Sequence, residues 1–230
     1  MASNGTQRIP IPEGLQSRAC VVGAGALEEI PALLKECWPG DDRPVRIVAD
    51  GNTWAAAGER VHALLASAGV AQAEPYIFPA KPVLHAEYRW IEALRPVLKG
   101  MRPLAVGGGT INDLVKRTSE EMECGGYLCC ATACSVDGYT SYGAAIVKDG
   151  LKQTLPCAAP LAIVADSAVV RTAPFEMTAA GYADLAAKIP AGADWILADA
   201  EGSAPFHPVA WGMVQTDLRS WLEADRKSVV

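Results

Sequence analysis

The stretch that decides the fold runs Pro103-Leu104-Ala105-Val106-Gly107-Gly108-Gly109-Thr110-Ile111-Asn112-Asp113-Leu114-Val115-Lys116. Its apolar start predicts a strand and its three glycines a sharp turn. Thr110 is the predicted cap of a following helix, with Asp113 at the third position of that helix. A glycine turn before a helix exposes backbone N–H groups at the positive end of the helix dipole. The stretch therefore predicts a phosphate-binding turn suited to a dinucleotide pyrophosphate, with a plain tight connection as the alternative.

The rest of the chain divides into three parts. Residues 1–14 are polar and contain prolines, and we expect them to be flexible. In residues 15–166 short apolar strands alternate with amphipathic helices, which predicts a parallel sheet with helices on both faces. Residues 167–230 predict helices only, the first of them starting near Pro174. The sequence thus predicts an α/β domain followed by part of an all-helical domain.

Composition limits the classes of function. The formal net charge is −6 and half of the residues are hydrophobic, so neither a nucleic-acid partner nor an anionic membrane surface is expected. No apolar run approaches the ~20 residues that a membrane span needs. The seven cysteines are an odd number in a chain of 230 residues, which favours a reduced, cytoplasmic protein. Adjacent Cys129 and Cys130 are expected on opposite faces of a strand, which disfavours a metal cluster there.

Two carboxylates stand out in this reading. Asp50 follows an apolar strand and is a candidate partner for an adenosine ribose, or else the start of an Asp-Gly-Asn turn. It precedes Gly107 by 57 residues, whereas the usual dinucleotide fingerprint places its acid after the glycines. Asp184 has small, apolar neighbours on a predicted helix, so it looks buried. A buried carboxylate needs Lys188, backbone donors or a metal ion for compensation.

Four segments, taken in order, resemble the motifs of sn-glycerol-1-phosphate dehydrogenases. They are Gly107 to Ile111 with Asp113, Thr132 to Ser141, Lys152 to Pro156, and Ala179 to Leu185. This family belongs to the group that contains glycerol dehydrogenase, iron-containing alcohol dehydrogenases and dehydroquinate synthase. The resemblance implies a dehydroquinate synthase-like fold. In that fold a Rossmann-like NAD(P)-binding domain precedes a helical domain, and metal and substrate lie between them.

The resemblance also implies roles for individual residues. Asp184 would ligate a divalent metal (zinc, nickel or iron), contact substrate and serve as the catalytic residue, while Asp137 would contact substrate. Lys152 is our own candidate for the substrate phosphate. The implied cofactor-binding residues are Asp50, Gly107, Gly108, Gly109, Thr110, Ile111, Asp113, Thr132, Ser135 and Ser141.

The implied reaction is a metal-dependent hydride transfer at C2 between sn-glycerol 1-phosphate and dihydroxyacetone phosphate, with NAD(P) as cofactor. The implied partner is a small phosphorylated polyol, and a homo-oligomer is a further expectation by analogy.

The sequence departs from the family pattern in its helical part. The family holds its metal with two histidines downstream of this aspartate, but only His207 follows Asp184, and it lies between prolines in a predicted loop. The chain looks truncated, and truncation would expose apolar side chains such as Trp211, Val214, Leu218 and Trp221. A non-catalytic nucleotide-binding remnant and another metal-dependent alcohol dehydrogenase, such as glycerol dehydrogenase, therefore stay as alternatives.

Overall fold

The computed structural model describes residues 5–224. Its contacts divide the chain into two units. The sheet unit contains residues 5–134 and Gly138–Ala173, and the helical unit contains Ser135–Asp137 with the residues from Pro174 onward. The sequence placed this boundary after residue 166, and it did not predict that a short internal segment would group with the C-terminal helices.

The sheet unit is built on a seven-stranded sheet in the order β1-β2-β9-β6-β5-β3-β4. All neighbouring pairs are parallel except β1 and β2. Strands β7 and β8 form a separate antiparallel hairpin. The strands are β1 (Gln7–Ile9), β2 (Ala19–Gly23), β3 (Val45–Asp50), β4 (Tyr76–Phe78), β5 (Arg102–Gly107), β6 (Leu128–Ala131), β7 (Ala144–Lys148), β8 (Leu151–Leu155) and β9 (Ala162–Asp166).

Helices cover both faces of this sheet, as predicted. Successive residues of β6 point to opposite sides. Cys130 therefore lies in one core, with the helices Ile30–Cys37 and Glu59–Ser67, and Cys129 lies in the other, with the helices Tyr88–Leu98 and Gly109–Glu121. The helices of the sheet unit are α1 (Ile30–Cys37), α2 (Gly51–Thr53), α3 (Glu59–Ser67), α4 (Tyr88–Leu98), α5 (Gly109–Glu121) and α6 (Ser167–Val170). A π-helical turn, Trp54–Gly58, joins α2 to α3.

Two strands differ from the sequence prediction. β1 lies inside the segment 1–14 that was expected to be flexible. The antiparallel hairpin of β7 and β8, joined by the turn Asp149-Gly150, departs from the predicted alternation of strands and helices, and β9 enters the large sheet between β2 and β6. β8 was missed because its three central residues, Lys152 to Thr154, are polar and exposed, so the strand has no apolar alternation.

The helical unit consists of α7 (Phe175–Ala186), α8 (Lys188–Ala200), α9 (Pro208–Gln215) and α10 (Leu218–Ala224). Few of its side chains are buried. Of the four residues predicted to be exposed, Val214 and Trp221 are exposed, Trp211 is half-buried, and Leu218 is fully buried. Among the described residues, no helix is long and apolar enough to cross a membrane.

Candidate functional site

The glycine turn after β5 forms a helix start without a side-chain cap. Gly108 is the N-cap of α5, in extended backbone (φ −79°, ψ −169°), and it makes no side-chain cap hydrogen bond. The prediction that Thr110 caps this helix is therefore wrong, because α5 begins at Gly109 and Thr110 already lies in its first turn. Asp113 is consequently the fifth helical residue, not the third. The N–H groups of the first turn have no intrahelical acceptors, which favours an anion at this end of the helix.

Gly107 and Gly108 serve different purposes. A Cβ atom at Gly107 would lie 2.6 Å from the Cβ of Ile111, so this glycine lets β5 and α5 pack together. A Cβ at Gly108 would meet no atom within 4 Å. No contact among residues 5–224 therefore requires a glycine at position 108, and the open space beside it suits close approach of a phosphate to the backbone. The residues present fit the pyrophosphate of a dinucleotide.

Asp50 ends the strand next to β5. The last pair between β3 and β5 is Val48 with Ala105, and each strand ends two residues later, at Asp50 and Gly107. Both residues therefore lie at the carboxyl edge of the sheet, on adjacent strands. The Asp50 Oδ1 accepts from Asn52 N (2.8 Å) and Thr53 N (3.0 Å), and Thr53 Oγ1 accepts from the Asp50 amide. Asp50 is thus the N-cap of α2. The ribose contact stays a prediction, with Oδ2 outside this capping box.

The segment from Thr132 to Ser141 lies beside the glycine turn at its beginning. Buried Thr132 donates its amide to the carbonyl of Gly107 at 3.2 Å, and Tyr139 donates its hydroxyl to the carbonyl of Ala133 at 2.7 Å. The Ser141 hydroxyl lies 2.8 Å from the Gly138 carbonyl and 3.0 Å from the Gly143 carbonyl. The Ser141 side chain therefore already has partners within its own loop. The predicted cofactor contacts of Thr132, Ser135 and Ser141 stay predictions.

Asp113 points toward the β7 side of α5. Its Oδ2 accepts from the amide of Ala145 at 3.1 Å. Burial raises the pKa of this carboxyl group, while the charges of Lys116 and, to a smaller extent, Lys152 lower it. Lys152 itself is exposed on β8, opposite Val147. A direct contact of Asp113 with the cofactor stays a prediction, and its observed partners include the Ala145 amide and the Lys116 ammonium.

Asp184 and Asp137 meet within the helical unit. The amide of Asp137 donates to Asp184 Oδ2 at 2.8 Å, and the Asp137 carboxylate pairs with the ammonium of Lys188. Asp184 is half-buried, not buried as its small neighbours suggested, because α7 has no buried residue. The backbone hydrogen bond from Asp137 is the main cause that lowers the pKa of Asp184, and Lys188 adds to it. The structure thus brings together the two residues predicted to contact substrate.

Acidification should weaken this contact. Because the folded state lowers the pKa of Asp184, its carboxylate contributes stability above the unfolded value near pH 4, and that contribution is lost as the pH falls further. We expect acid titration of wild-type tryptophan fluorescence to show a step below about pH 4 that Asp184→Asn removes, worth no more than about 1 kcal/mol because solvent screens the pair. The exposed Asp194→Asn variant serves as control and should keep the step. A step that survives in Asp184→Asn would contradict this assignment.

The described side chains around Asp184 do not by themselves complete a site for a divalent metal. Among residues 5–224, no group of three His, Cys, Asp or Glu side chains lies close enough to hold an ion. Asp184 Oδ2 accepts from a backbone amide, and Lys188 adds a positive charge beside it. His207 is the N-cap of α9, and its Nδ1 accepts from the amide of Ala210 at 3.3 Å, which confirms its position outside a helix. The metal role of Asp184 stays a prediction.

A second glycine turn, Gly23-Ala24-Gly25, has protein atoms where a phosphate would bind. A Cβ at Gly23 would lie 2.5 Å from the carbonyl oxygen of Gly5, so the N-terminal segment passes directly over this turn. In the short 3-10 turn that follows, the amide of Leu27 donates to Oδ2 of the fully buried Asp166 at 3.4 Å, so a carboxyl group of the protein itself contacts this turn. Protein atoms therefore fill the space beside this glycine turn.

One buried cation near the glycine turn was missed by the sequence analysis. Lys116, on α5, has a fully buried side chain whose ammonium contacts the loop that contains Ser141. The available signal was a polar stripe inside an amphipathic helix: Asn112, Lys116 and Ser119 follow helical spacing and are all buried.

Comparison with known proteins agrees with this geometry. The family model of iron-containing alcohol dehydrogenases matches residues 21–174. A glycerol-1-phosphate dehydrogenase, NAD(P)+, of Bacillus velezensis is 33% identical over 231 residues, which cover 98% of this chain and 56% of the relative. The corresponding protein of Methanosarcina barkeri is 32% identical and covers 79% of this chain and 49% of its own. The chain thus spans about half the length of the curated relatives it matches.

Solved structures agree on the fold. The iron-containing alcohol dehydrogenase of Thermococcus thioreducens superposes with a TM-score of 0.61 at 18% identity, covering 74% of this chain and 50% of that one. Glycerol dehydrogenase of Schizosaccharomyces pombe gives a TM-score of 0.58 at 21% identity, and the match covers 74% of this chain and 41% of that one. The family match spans more than half of the chain and contains the glycine turn, Asp50 and the loop with Ser141. The chain therefore belongs to the iron-containing alcohol dehydrogenase family.

Proposed function

We propose that this chain binds NAD(P), with the pyrophosphate at the uncapped N-terminus of α5. The observation that carries the proposal is the open space at Gly108 beside the first turn of α5, whose N-cap residue provides no side-chain cap. Asp50 would face the adenosine ribose from the adjacent strand, and Thr132, Ser135 and Ser141 would border the cofactor. When bound, the nicotinamide ring would supply the hydride acceptor and donor.

We further propose that the protein of which this sequence forms all or part interconverts sn-glycerol 1-phosphate and dihydroxyacetone phosphate. The names of the relatives support this reaction. Asp137 and Asp184, which lie together in the helical unit, are the proposed substrate contacts, and Lys152 is the proposed phosphate contact. The catalytic and metal-binding roles of Asp184, the identity of the metal, cytoplasmic location and homo-oligomerisation belong to the same proposal.

A second candidate is a nucleotide-binding chain without turnover. The donor set around Asp184 favours it, since the described residues offer no three-ligand metal site. This candidate and the first share the NAD(P) site and differ in whether dihydroxyacetone phosphate oxidises bound NADH.

The cofactor site is tested by titrating NADH against the protein and following nucleotide fluorescence. We expect Gly108→Val to weaken NADH binding at least tenfold, by about 1.4 kcal/mol or more, because its side chain would fill the space proposed for the phosphate. Gly212→Ala, on α9, is the matched control, since its Cβ would make only an ordinary contact with Thr216. Failure of wild type to bind NADH would overturn the proposed function. Equal affinity in wild type and Gly108→Val would move the site elsewhere.

Asp50 should set the preference between the two cofactors. A carboxylate at the ribose repels the 2′-phosphate of NADPH, so we expect wild type to bind NADH more tightly than NADPH. Asp50→Ser retains a side-chain oxygen to cap α2 but removes the charge, and it should reduce the NADH-to-NADPH affinity ratio by about tenfold. Parallel titrations with both nucleotides measure this ratio. An unchanged ratio in Asp50→Ser would leave Asp50 as a helix cap only.

A further inference from the structure

The buried cation Lys116 contacts one loop through several backbone oxygens. Its Nζ donates to the carbonyls of Gly138 (3.1 Å), Ser141 (3.0 Å) and Gly143 (3.1 Å), and lies 3.2 Å from Ser141 Oγ. The side chain is completely inaccessible to solvent. An ammonium has three N–H donors, and three carbonyls in this short loop provide acceptors for them. The loop 138–143 is thus gathered around a single side chain of α5.

Asp113 completes this arrangement from one helical turn away. Its Oδ1 lies 3.9 Å from the Lys116 ammonium, and its Oδ2 accepts from the Ala145 amide at 3.1 Å. The carboxylate supplies the opposite charge that a buried ammonium needs. The two side chains, at positions i and i+3 of one helix face, therefore connect α5 both to the loop and to the start of β7.

A buried lysine is an unusual way to stabilise a helix face. Desolvation opposes its charge and lowers its pKa, and an apolar side chain of similar volume would avoid this cost. What lysine provides and an apolar residue does not is directional hydrogen bonding to loop carbonyls. The loop also belongs to a longer segment that starts at Thr132. The amide of Thr132 donates to the carbonyl of Gly107, in the glycine turn before α5. One end of the segment is thus held next to the N-terminus of α5, and the other is held by Lys116 in the middle of the same helix.

We propose that Lys116, with Asp113, is a positioning pair that holds the loop 138–143 in place beside the NAD(P) site without touching the cofactor. The inference rests on the proposed function, because the value of a fixed loop lies in the nucleotide that it borders. In this proposal Asp113 supports the site through Lys116 and Ala145, whereas its motif led us to expect a direct contact with the cofactor. It also gives the Ser141 side chain a role in closing the loop, through the Gly138 and Gly143 carbonyls.

The test compares Lys116→Met with Ser119→Ala in the full chain. Met has similar volume and no charge. Ser119 is a buried polar residue of the same helix whose hydroxyl donates to Gly126 at 3.0 Å, outside the loop. We expect Lys116→Met to accelerate amide hydrogen exchange in residues 138–145 and to weaken NADH binding, each by at least about tenfold. Ser119→Ala should change neither by more than about twofold, although it should lower global stability by about 1 kcal/mol.

Two further arms keep the result decisive. Asp113→Asn retains an acceptor for the Ala145 amide and removes the charge, so we expect intermediate effects on exchange and affinity. If Lys116→Met does not fold, Lys116→Gln, a shorter neutral donor, takes its place. Wild-type exchange rates and NADH affinity in the lysine variants would overturn the proposal, as would equal losses of affinity in Ser119→Ala. If wild type binds no NADH, the proposed function fails, and loop exchange still decides whether Lys116 holds the loop.

Discussion

Gly107→Ala is expected to lower the free energy of unfolding by about 2–3 kcal/mol, although it adds one methyl group. The new Cβ would lie 2.6 Å from the Cβ of Ile111 and 2.7 Å from its Cγ1. These atoms lie at the root of a side chain that is buried at the start of α5, so only movement of the helix away from β5 would relieve the overlap. Urea unfolding followed by circular dichroism measures the change, and Tm should fall by about 5–10 °C.

Gly108→Ala is the matched control for this prediction. It adds the same methyl group one residue later, at an ordinary φ of −79° and with no atom within 4 Å. We expect its stability to stay within about 1 kcal/mol of wild type. Equal stability of Gly107→Ala and wild type would show that β5 and α5 are not packed as described, and would remove the structural distinction between the two glycines.

The 230-residue chain is expected to bind NADH without oxidising it when dihydroxyacetone phosphate and Zn²⁺ are added. The reason is the donor set: Asp184 is half-buried, accepts from the Asp137 amide and has Lys188 nearby, and the described residues supply no three-ligand group. A carboxylate with so few partners should hold a divalent ion no more tightly than about 0.1–1 mM, the weakest range of protein cation sites.

Elemental analysis after dialysis and an NADH oxidation assay check this prediction together. Asp184→Asn is the control for metal content, and it should be indistinguishable from wild type because neither protein retains an ion. Stoichiometric metal in wild type that disappears in Asp184→Asn would contradict the prediction and support a complete site. Turnover without added metal would contradict it in a different way, since it would require a metal-independent reaction.

Buried strands were predictable because every residue in them faces a core. Strand β6 (Leu128–Ala131) is an example, and its two adjacent cysteines lie on opposite faces as expected. Capping was harder to predict. Asp50 and Thr53 are both good caps, and only the hydrogen bonds show that the helix begins between them. The start of α5 was misplaced for the same reason, since Gly108 caps it without any side chain.

Burial of polar residues could not be predicted from neighbouring sequence alone. Small neighbours suggested a buried Asp184, yet α7 has no buried residue. Lys116 was overlooked because a lysine on a helix is ordinarily exposed, and its burial depends on a loop more than 20 residues later in the chain. The candidate site was therefore predictable as far as its backbone turn, while its supporting contacts required the tertiary structure.

The grouping of Ser135–Asp137 with the C-terminal helices has a consequence for how such chains recombine. A crossover that exchanges everything after Ala173 with a relative would separate Asp137 from Asp184 and Lys188. The helices would then come from the relative, whereas Asp137 would come from the original chain. The helical unit can therefore be inherited with its contacts intact only if two separate places in the gene are exchanged together. A chimaera with a single junction should keep these contacts only when the donor also has aspartate, aspartate and lysine at positions 137, 184 and 188.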